Sequence, residues 1–133
     1  MRIKKIELAE INIPLVTPFK TALRTVESVA ANVVRITAGD GAYGFGEAPP
    51  TAVITGDTKS SIRCAIEEFI APSLIGMEIE NLDGIMKKLH GCIWKNTSAK
   101  AAVDMASTIY LPSHAKSPCI RSWAEAETKL KPI

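Results

Sequence analysis

The stretch ESVAANVVRITAGDGAYGFGEA, residues 27–48, predicts the centre of the fold. Residues 27–38 are rich in valine and isoleucine, which favour β-strands. Asp40-Gly41 supplies a tight hairpin turn, and residues 43–48 predict the returning strand. Glycines weaken an isolated strand, so we interpret Gly44 and Gly46 as positions where another backbone approaches closely.

The residues before this hairpin predict one more strand. Apolar side chains recur through residues 2–15 with one slip in the alternation, and the predicted strand ends at Pro14. Residues 17–25 show neither a strand period nor a helix period, and we expect a long loop there. Three consecutive strands predict an antiparallel meander.

The residues after Pro49 predict helices. A second loop is expected over residues 51–57, and three segments with helical apolar spacing follow it. The residues expected to begin or end these helices are Asp57 or Thr58 with Pro72, then Asn81, then Thr97 or Ser98. The predicted fold class is therefore α+β: a three-stranded antiparallel meander followed by a bundle of about three helices.

The composition predicts an ordinary soluble domain. Of the 133 residues, 47% are hydrophobic and 23% charged, and the net charge is +2 with no basic run longer than two, so we expect no nucleic-acid partner. There is no apolar stretch of about 18 residues, so we expect no membrane partner either. Three cysteines without paired spacing, and the lack of a signal-peptide pattern, predict reduced thiols and a cytoplasmic location.

Four motifs occur in one order along the chain: PFKTALRT at 18–25, GEAPPT at 46–51, ITGD at 54–57 and SAKAAVDMA at 98–106. With them, residues 1–106 resemble the N-terminal capping domain of dipeptide epimerases, in the muconate-lactonizing branch of the enolase superfamily. The resemblance implies a specificity lid over a modified TIM barrel. In that family two barrel lysines move the α-proton of the substrate, and three acidic residues hold a magnesium ion.

None of those barrel groups is found in residues 1–106, so we expect this chain to hold no metal or cofactor and to be inactive alone. It would meet a dipeptide such as L-Ala-L-Glu only if a barrel is present. The resemblance assigns substrate contacts to four residues. Arg24 would pair with a substrate carboxylate, Phe19 and Ile54 would form an apolar wall, and Thr55 lies in the second lid loop.

The residues alone also allow less specific interpretations. Without the surrounding motif, Arg24 reads as a solvated loop arginine, and Phe19 as an anchor for its own loop. Thr55 belongs to a Thr-Gly-Asp segment that fits a simple turn and helix cap. Lys100 stands on a helix of small residues and is expected to be solvated or to snorkel.

Residues 107–133 do not continue the pattern of the first 106, and we predict a non-native tail that is disordered or partly helical. Back-translation into the neighbouring frame yields His-Asp, Lys-Pro-Leu-Tyr and Leu-Gly-Gly at the family's spacing. We therefore expect a frameshift just before Ser107 and a truncated enzyme. A lid without its barrel would expose an apolar underside, so we expect self-association through that surface.

Two other interpretations remain open from the sequence. The same branch includes muconate cycloisomerases and o-succinylbenzoate synthases, whose lids resemble this one less in the 23–25 region. A free-standing, non-catalytic binding module is the other alternative, and it would need a tail that covers the exposed underside.

Overall fold

A computed structural model describes residues 1–110 of the chain, as a three-stranded antiparallel sheet with helices against one face. The strands are β1 (Ile3–Lys20), β2 (Thr25–Ala38) and β3 (Tyr43–Ala48), in the spatial order β1-β2-β3. The predicted α+β meander is confirmed. Most of the predicted tail, residues 111–133, lies outside the described residues.

The β1–β2 hairpin is longer than the sequence predicts. Residues 17–25 were expected to form a loop, but β1 continues to Lys20 and β2 begins at Thr25. The pairing shifts between Pro14↔Ser28 and Phe19↔Val26, so β1 bulges between these two pairs. Pro14 and Pro18 lack an amide donor, which accounts for the bulge. Beyond the bulge, β1 is extended because it pairs with β2, although its own sequence has no strand pattern.

The β2–β3 hairpin has the geometry that Asp40-Gly41 predicts. Gly41 has a φ of 89°, and the Asp40 carboxylate accepts a hydrogen bond of 3.0 Å from the Ala42 amide. Gly46 confirms the expected close approach, since a Cβ atom there would lie 1.8 Å from the carbonyl oxygen of Ala102. The helix that contains Ala102 therefore rests directly on the backbone of β3.

The first helical segment continues through the proline that was expected to end it. It consists of α1 (Lys59–Cys64), a π-helical stretch (Ala65–Ile70) and α2 (Ala71–Leu74). In the π-helical stretch the Ala71 amide donates to the carbonyl of Ile66, five residues back. A wider turn tolerates the proline ring and its missing donor, and π-turns relieve such conflicts inside helices. The prediction that Pro72 closes the helix is wrong for this reason.

Two longer helices complete the bundle: α3 (Leu82–Gly91) and α4 (Thr97–Tyr110). The capping expectations hold for Thr58, whose hydroxyl and backbone form a capping box with Ser61, and for Asn81, which accepts from the Gly84 amide. They fail for α4. Thr97 and Ser98 both lie inside its first turn, after Asn96 at a φ of 50°.

The core lies between the sheet and the helices. Its largest fully buried side chains are aliphatic and come from every layer: Ile3, Val34, Ile36, Ile62, Ile66, Ile70, Leu74, Ile79, Ile85, Leu89 and Val103. Burial of side chains of this size stabilises a fold by about 1.5–3 kcal/mol each. This continuous core holds β2 and β3 against α4 and so fixes the loops at the sheet's end.

Candidate functional site

The tip of the β1–β2 hairpin carries two of the predicted site residues. Thr21 shapes the turn, because its hydroxyl accepts from the amides of Leu23 and Arg24, at 3.3 and 3.1 Å. The Thr21 amide donates to the Arg24 carbonyl at 2.8 Å and closes the turn. These bonds fix the Arg24 backbone while its side chain extends into solvent.

Arg24 and Phe19 are both free to contact a ligand. Phe19 stands opposite Val26 near the end of β1 and is 62% exposed. Within residues 1–110, the structure records neither an ion pair nor a hydrogen bond for the Arg24 guanidinium. An exposed guanidinium can grip a carboxylate bidentately, and an exposed aromatic ring on the same hairpin can cover an apolar part of the same ligand.

The loop after β3 carries Ile54 and Thr55. The amides of both residues donate to the Thr51 carbonyl at 2.9 Å, and Gly56 follows with a φ of 81°. This tight turn presents the Ile54 side chain outward, 69% exposed. The segment of residues 51–57 is therefore an ordered turn with an apolar tip.

A chain of hydroxyl groups holds this turn from inside. The hydroxyls of Thr51 and Thr55 lie 2.9 Å apart, and Thr55 donates to the Asp57 carboxylate at 2.8 Å. The same carboxylate oxygen accepts from the Ser98 hydroxyl on α4, also at 2.8 Å. The hydroxyl of Thr55 thus helps to hold the turn together.

The sequence predicts Asp57 and Ser98 only as possible helix caps and does not predict the bond between them. The available signal was their position, because each lies in one of the four motifs of the sequence. The two are separated by 41 residues, so no local pattern pairs them. Asp57 also lies beside the first turn of α4, where the helix dipole favours a negative charge.

The two loops leave the sheet at the same end. Ala48, the last residue of β3, pairs with Asn32, whereas the β1–β2 hairpin continues to Thr25. At about 3.3 Å per residue, the hairpin tip extends roughly 20 Å beyond β3. In the described part of the chain, neither a hydrogen bond nor an ion pair links Arg24 and Phe19 with Ile54 and Thr55. The structure therefore places the two pairs on one side of the molecule without joining them.

Lys100 is buried, contrary to the expectation that its side chain is solvated or snorkels towards water. It is 8% exposed, and its Nζ donates to the carbonyls of His90 and Ile93, at 3.1 and 2.6 Å. These carbonyls lie at and just after the C-terminal end of α3, where helices have unpaired acceptors. Lys100 thus ties α4 to the end of α3, and the local pattern of small residues around it gave no signal for this role.

The perturbed carboxylates lie away from both loops. Lys5, and next Arg35, hold the pKa of Glu7 below its ordinary value on the sheet. The N-terminal amine similarly lowers the pKa of Glu78 and of Glu80, whose hydrogen bonds raise the pKa of the amine in return. All of these groups are exposed or half-buried partners in ion pairs, so we assign them to the stability of the fold.

The donor set of the described residues does not fit a magnesium ion. Residues 1–110 contain no group of three or more histidine, cysteine, aspartate or glutamate side chains placed to hold a metal. Magnesium sites use convergent carboxylates. The exposed guanidinium, apolar side chains and hydroxyls at this end of the molecule can instead bind an organic ligand.

Over residues 1–110, no helix has the length and apolar character needed to cross a bilayer.

Comparison with known proteins points to one family. Residues 4–109 match "Mandelate racemase / muconate lactonizing enzyme, N-terminal domain". Over 106 residues the chain is 48% identical to the L-Ala-D/L-Glu epimerase of Bacillus subtilis, covering 80% of this chain and 29% of the relative. It is 49% identical to the L-Ala-D/L-Glu epimerase of Clostridium acetobutylicum, with 80% and 30% covered.

Solved structures agree with this comparison. The substrate-liganded complex of the Bacillus subtilis enzyme superposes with a TM-score of 0.77, covering 80% of this chain and 30% of that one. The dipeptide epimerase of Enterococcus faecalis, complexed with Mg and L-Leu-L-Tyr, is 30% identical and superposes with a TM-score of 0.80, covering 85% and 32%. The chain thus spans about three tenths of the length of the relatives it matches.

Proposed function

The chain belongs to the mandelate racemase / muconate lactonizing enzyme family of the enolase superfamily, as its N-terminal domain, and on that premise we propose that it is the substrate-selecting lid of a dipeptide epimerase. The hairpin tip and the 51–57 turn are the parts that would contact the substrate. The preferred substrate class is an acidic dipeptide such as L-Ala-L-Glu, as the names of two relatives suggest.

The observation that carries this proposal is the presentation of Arg24. Its backbone is fixed by Thr21 and its guanidinium is exposed, so only the side chain needs ordering before it pairs with a carboxylate. Phe19 nearby would cover the apolar part of the ligand, and Ile54 would do so from the second loop. Exclusion of water by these side chains would strengthen the ion pair.

Under this proposal, residues 1–110 bind and select the substrate but do not transfer its α-proton. Epimerisation requires removal of an α-proton next to a carboxylate, and a weak carbon acid needs bases and a strong electrostatic stabiliser for that step. The Lys100 amine is bonded to two carbonyls at the end of α3, and residues 1–110 contain no cluster of three or more potential metal ligands. We therefore expect these residues to contribute binding and specificity but no proton transfer of their own.

A fusion enzyme tests the proposal. Residues 1–109 replace the matching segment of the Bacillus subtilis L-Ala-D/L-Glu epimerase, and racemisation of L-Ala-L-Glu is measured with magnesium present. The fusion is expected to be active, and Arg24→Met is expected to lower kcat/KM for L-Ala-L-Glu by roughly 10- to 100-fold, the value of a hydrogen bond to a charged group.

The control is Lys20→Met, which removes a neighbouring positive charge from the same hairpin. We expect it to change kcat/KM by less than about threefold, since solvated charges contribute little. An Arg24→Met fusion as active on L-Ala-L-Glu as its parent would contradict the proposal. Preferential activity of the fusion on muconate would instead favour the cycloisomerase alternative.

Exposed apolar side chains support a further part of the proposal, that this surface docks onto a larger partner domain. Those along the hairpin and the second loop are Val16, Phe19, Leu23, Val53 and Ile54, each more than half exposed. Such patches mark interaction surfaces. Without a partner domain we expect the chain to self-associate. Light scattering over a concentration series tests this, and Leu23→Ser with Ile54→Ser should reduce the association.

A further inference from the structure

We propose that Asp57 and Ser98 are positioning residues, which hold the 51–57 turn in the conformation that presents Ile54 to the substrate. This inference rests on the proposed lid function and extends it to two residues that do not themselves face a ligand. Its basis is the bond between the two loop and helix motifs, Ser98 Oγ to Asp57 Oδ2 at 2.8 Å.

One arrangement of the hydroxyl hydrogens satisfies every donor in the network. Ser98 and Thr55 each donate a hydroxyl hydrogen to the Asp57 carboxylate, which accepts both at 2.8 Å. Thr55 has then used its only hydrogen, so Thr51 donates to Thr55 across 2.9 Å. The Asp57 amide also donates to the Thr55 hydroxyl at 3.3 Å. Hydrogen bonds to a carboxylate are the strong ones, so Asp57 is the centre of the network.

The network connects an exposed turn to a helix that packs on the sheet. Within residues 51–57, two backbone amides donate to one carbonyl, that of Thr51. The side chains of Val53 and Ile54 point into solvent. Ser98, by contrast, belongs to α4, whose neighbours Ala99 and Ala102 are buried against the sheet. The Asp57–Ser98 bond links this turn to α4 and so acts as the tether of the exposed tip.

The geometry explains why both residue types are needed. Ser98 lies in the first turn of α4, where a short hydroxyl reaches the loop and the helix dipole favours the carboxylate of Asp57. Gly56, at a φ of 81°, turns the backbone so that Asp57 faces α4 after Ile54 has faced outward. The tether thus sets the direction in which Ile54 projects.

Hydrogen–deuterium exchange on the whole chain tests the tether directly. The reporters are the amides of Ile54 and Thr55, which donate to the Thr51 carbonyl. Ser98→Ala is expected to speed their exchange about tenfold without changing exchange in α3, and Ser98→Thr, which keeps the hydroxyl, is expected to restore protection. Ser73→Ala removes a hydroxyl bonded to the Phe69 carbonyl, away from the loop, and serves as the matched control.

The fusion enzyme tests the functional consequence. A loosened loop leaves the proton-transferring groups untouched, so Ser98→Ala should raise KM for L-Ala-L-Glu about five- to tenfold while kcat changes less than twofold. Ser98→Thr should return KM to the parent value. Asp57→Asn keeps one acceptor oxygen and should fall between the two.

The two experiments fail in different ways. Unchanged exchange at Ile54 and Thr55 in Ser98→Ala would overturn the tether, whatever the fusion does. Faster exchange with unchanged KM would overturn the positioning role and leave only a structural bond. An inactive parent fusion would refute the proposed function, while the exchange result would still decide whether the tether exists.

Discussion

The contact between β3 and α4 can be broken by one methyl group. In Gly46→Ala the new Cβ would lie 1.8 Å from the Ala102 carbonyl oxygen and 2.7 Å from its carbonyl carbon. Both are backbone atoms, so no side-chain rotation relieves the clash. Ordinary contact begins at 3.4 Å, so strand and helix must separate by about 1.6 Å.

That separation would open the core beside Val34, Ala48 and Val103, which are fully buried. We expect a cost of about 3 kcal/mol or more, at the upper end of overpacking substitutions. Domains of this size have about 5–15 kcal/mol of stability in total, so the variant would be marginal. With a urea m-value of about 1.5 kcal/mol/M, the unfolding midpoint would fall by roughly 2 M.

The assay is urea unfolding followed by far-ultraviolet circular dichroism, with Gly91→Ala as the matched control. A Cβ on Gly91, the last residue of α3, meets nothing within 4 Å. There the same substitution should be neutral or stabilise by up to about 1 kcal/mol through helix propensity. A Gly46→Ala chain that unfolds within about 0.5 kcal/mol of its parent would refute the close packing of α4 on β3.

Two further substitutions test the charged contacts of the fold. Lys100→Met should leave the carbonyls of His90 and Ile93 unpaired and lower the free energy of unfolding by about 2–3 kcal/mol, whereas exposed Lys87→Met should change it by under 0.5 kcal/mol, both by urea unfolding. The lowered pKa of Glu7 stabilises the fold above about pH 4.5, and that contribution disappears as the pH falls through the lowered pKa. The unfolding midpoint should therefore fall less steeply below pH 4.5 in Glu7→Gln than in the parent; equal slopes would contradict this assignment.

Local chemistry was sufficient to predict the β2–β3 hairpin. Asp40 and Gly41 specify their turn through an acceptor side chain and a positive φ, both properties of the residues themselves. The approach at Gly46 was predictable for a similar reason, since a missing side chain in a strand needs an explanation. Thr58 and Asn81 were recognisable as caps because capping acts over three residues.

Other features depend on pairing between distant residues, and local sequence patterns could not predict them. The segment after Pro14 has no strand period, yet β2 holds it in a strand, so tertiary pairing overrode the local pattern. A proline normally ends a helix, but the wider π-helical turns before Pro72 leave room for its ring. At the candidate site, the motifs predict Arg24 and Ile54 as substrate contacts, whereas the bond between Asp57 and Ser98 spans 41 residues and required the structure.

The most direct test of the central claim, that residues 1–110 select a substrate without transforming it, is solvent deuterium exchange at the α-carbon of L-Ala-L-Glu. The chain and the fusion enzyme are each incubated with the dipeptide and magnesium in deuterated buffer, and incorporation is followed by proton nuclear magnetic resonance. We predict incorporation with the fusion and only the protein-free rate with the chain. Faster incorporation by the purified chain would contradict the account.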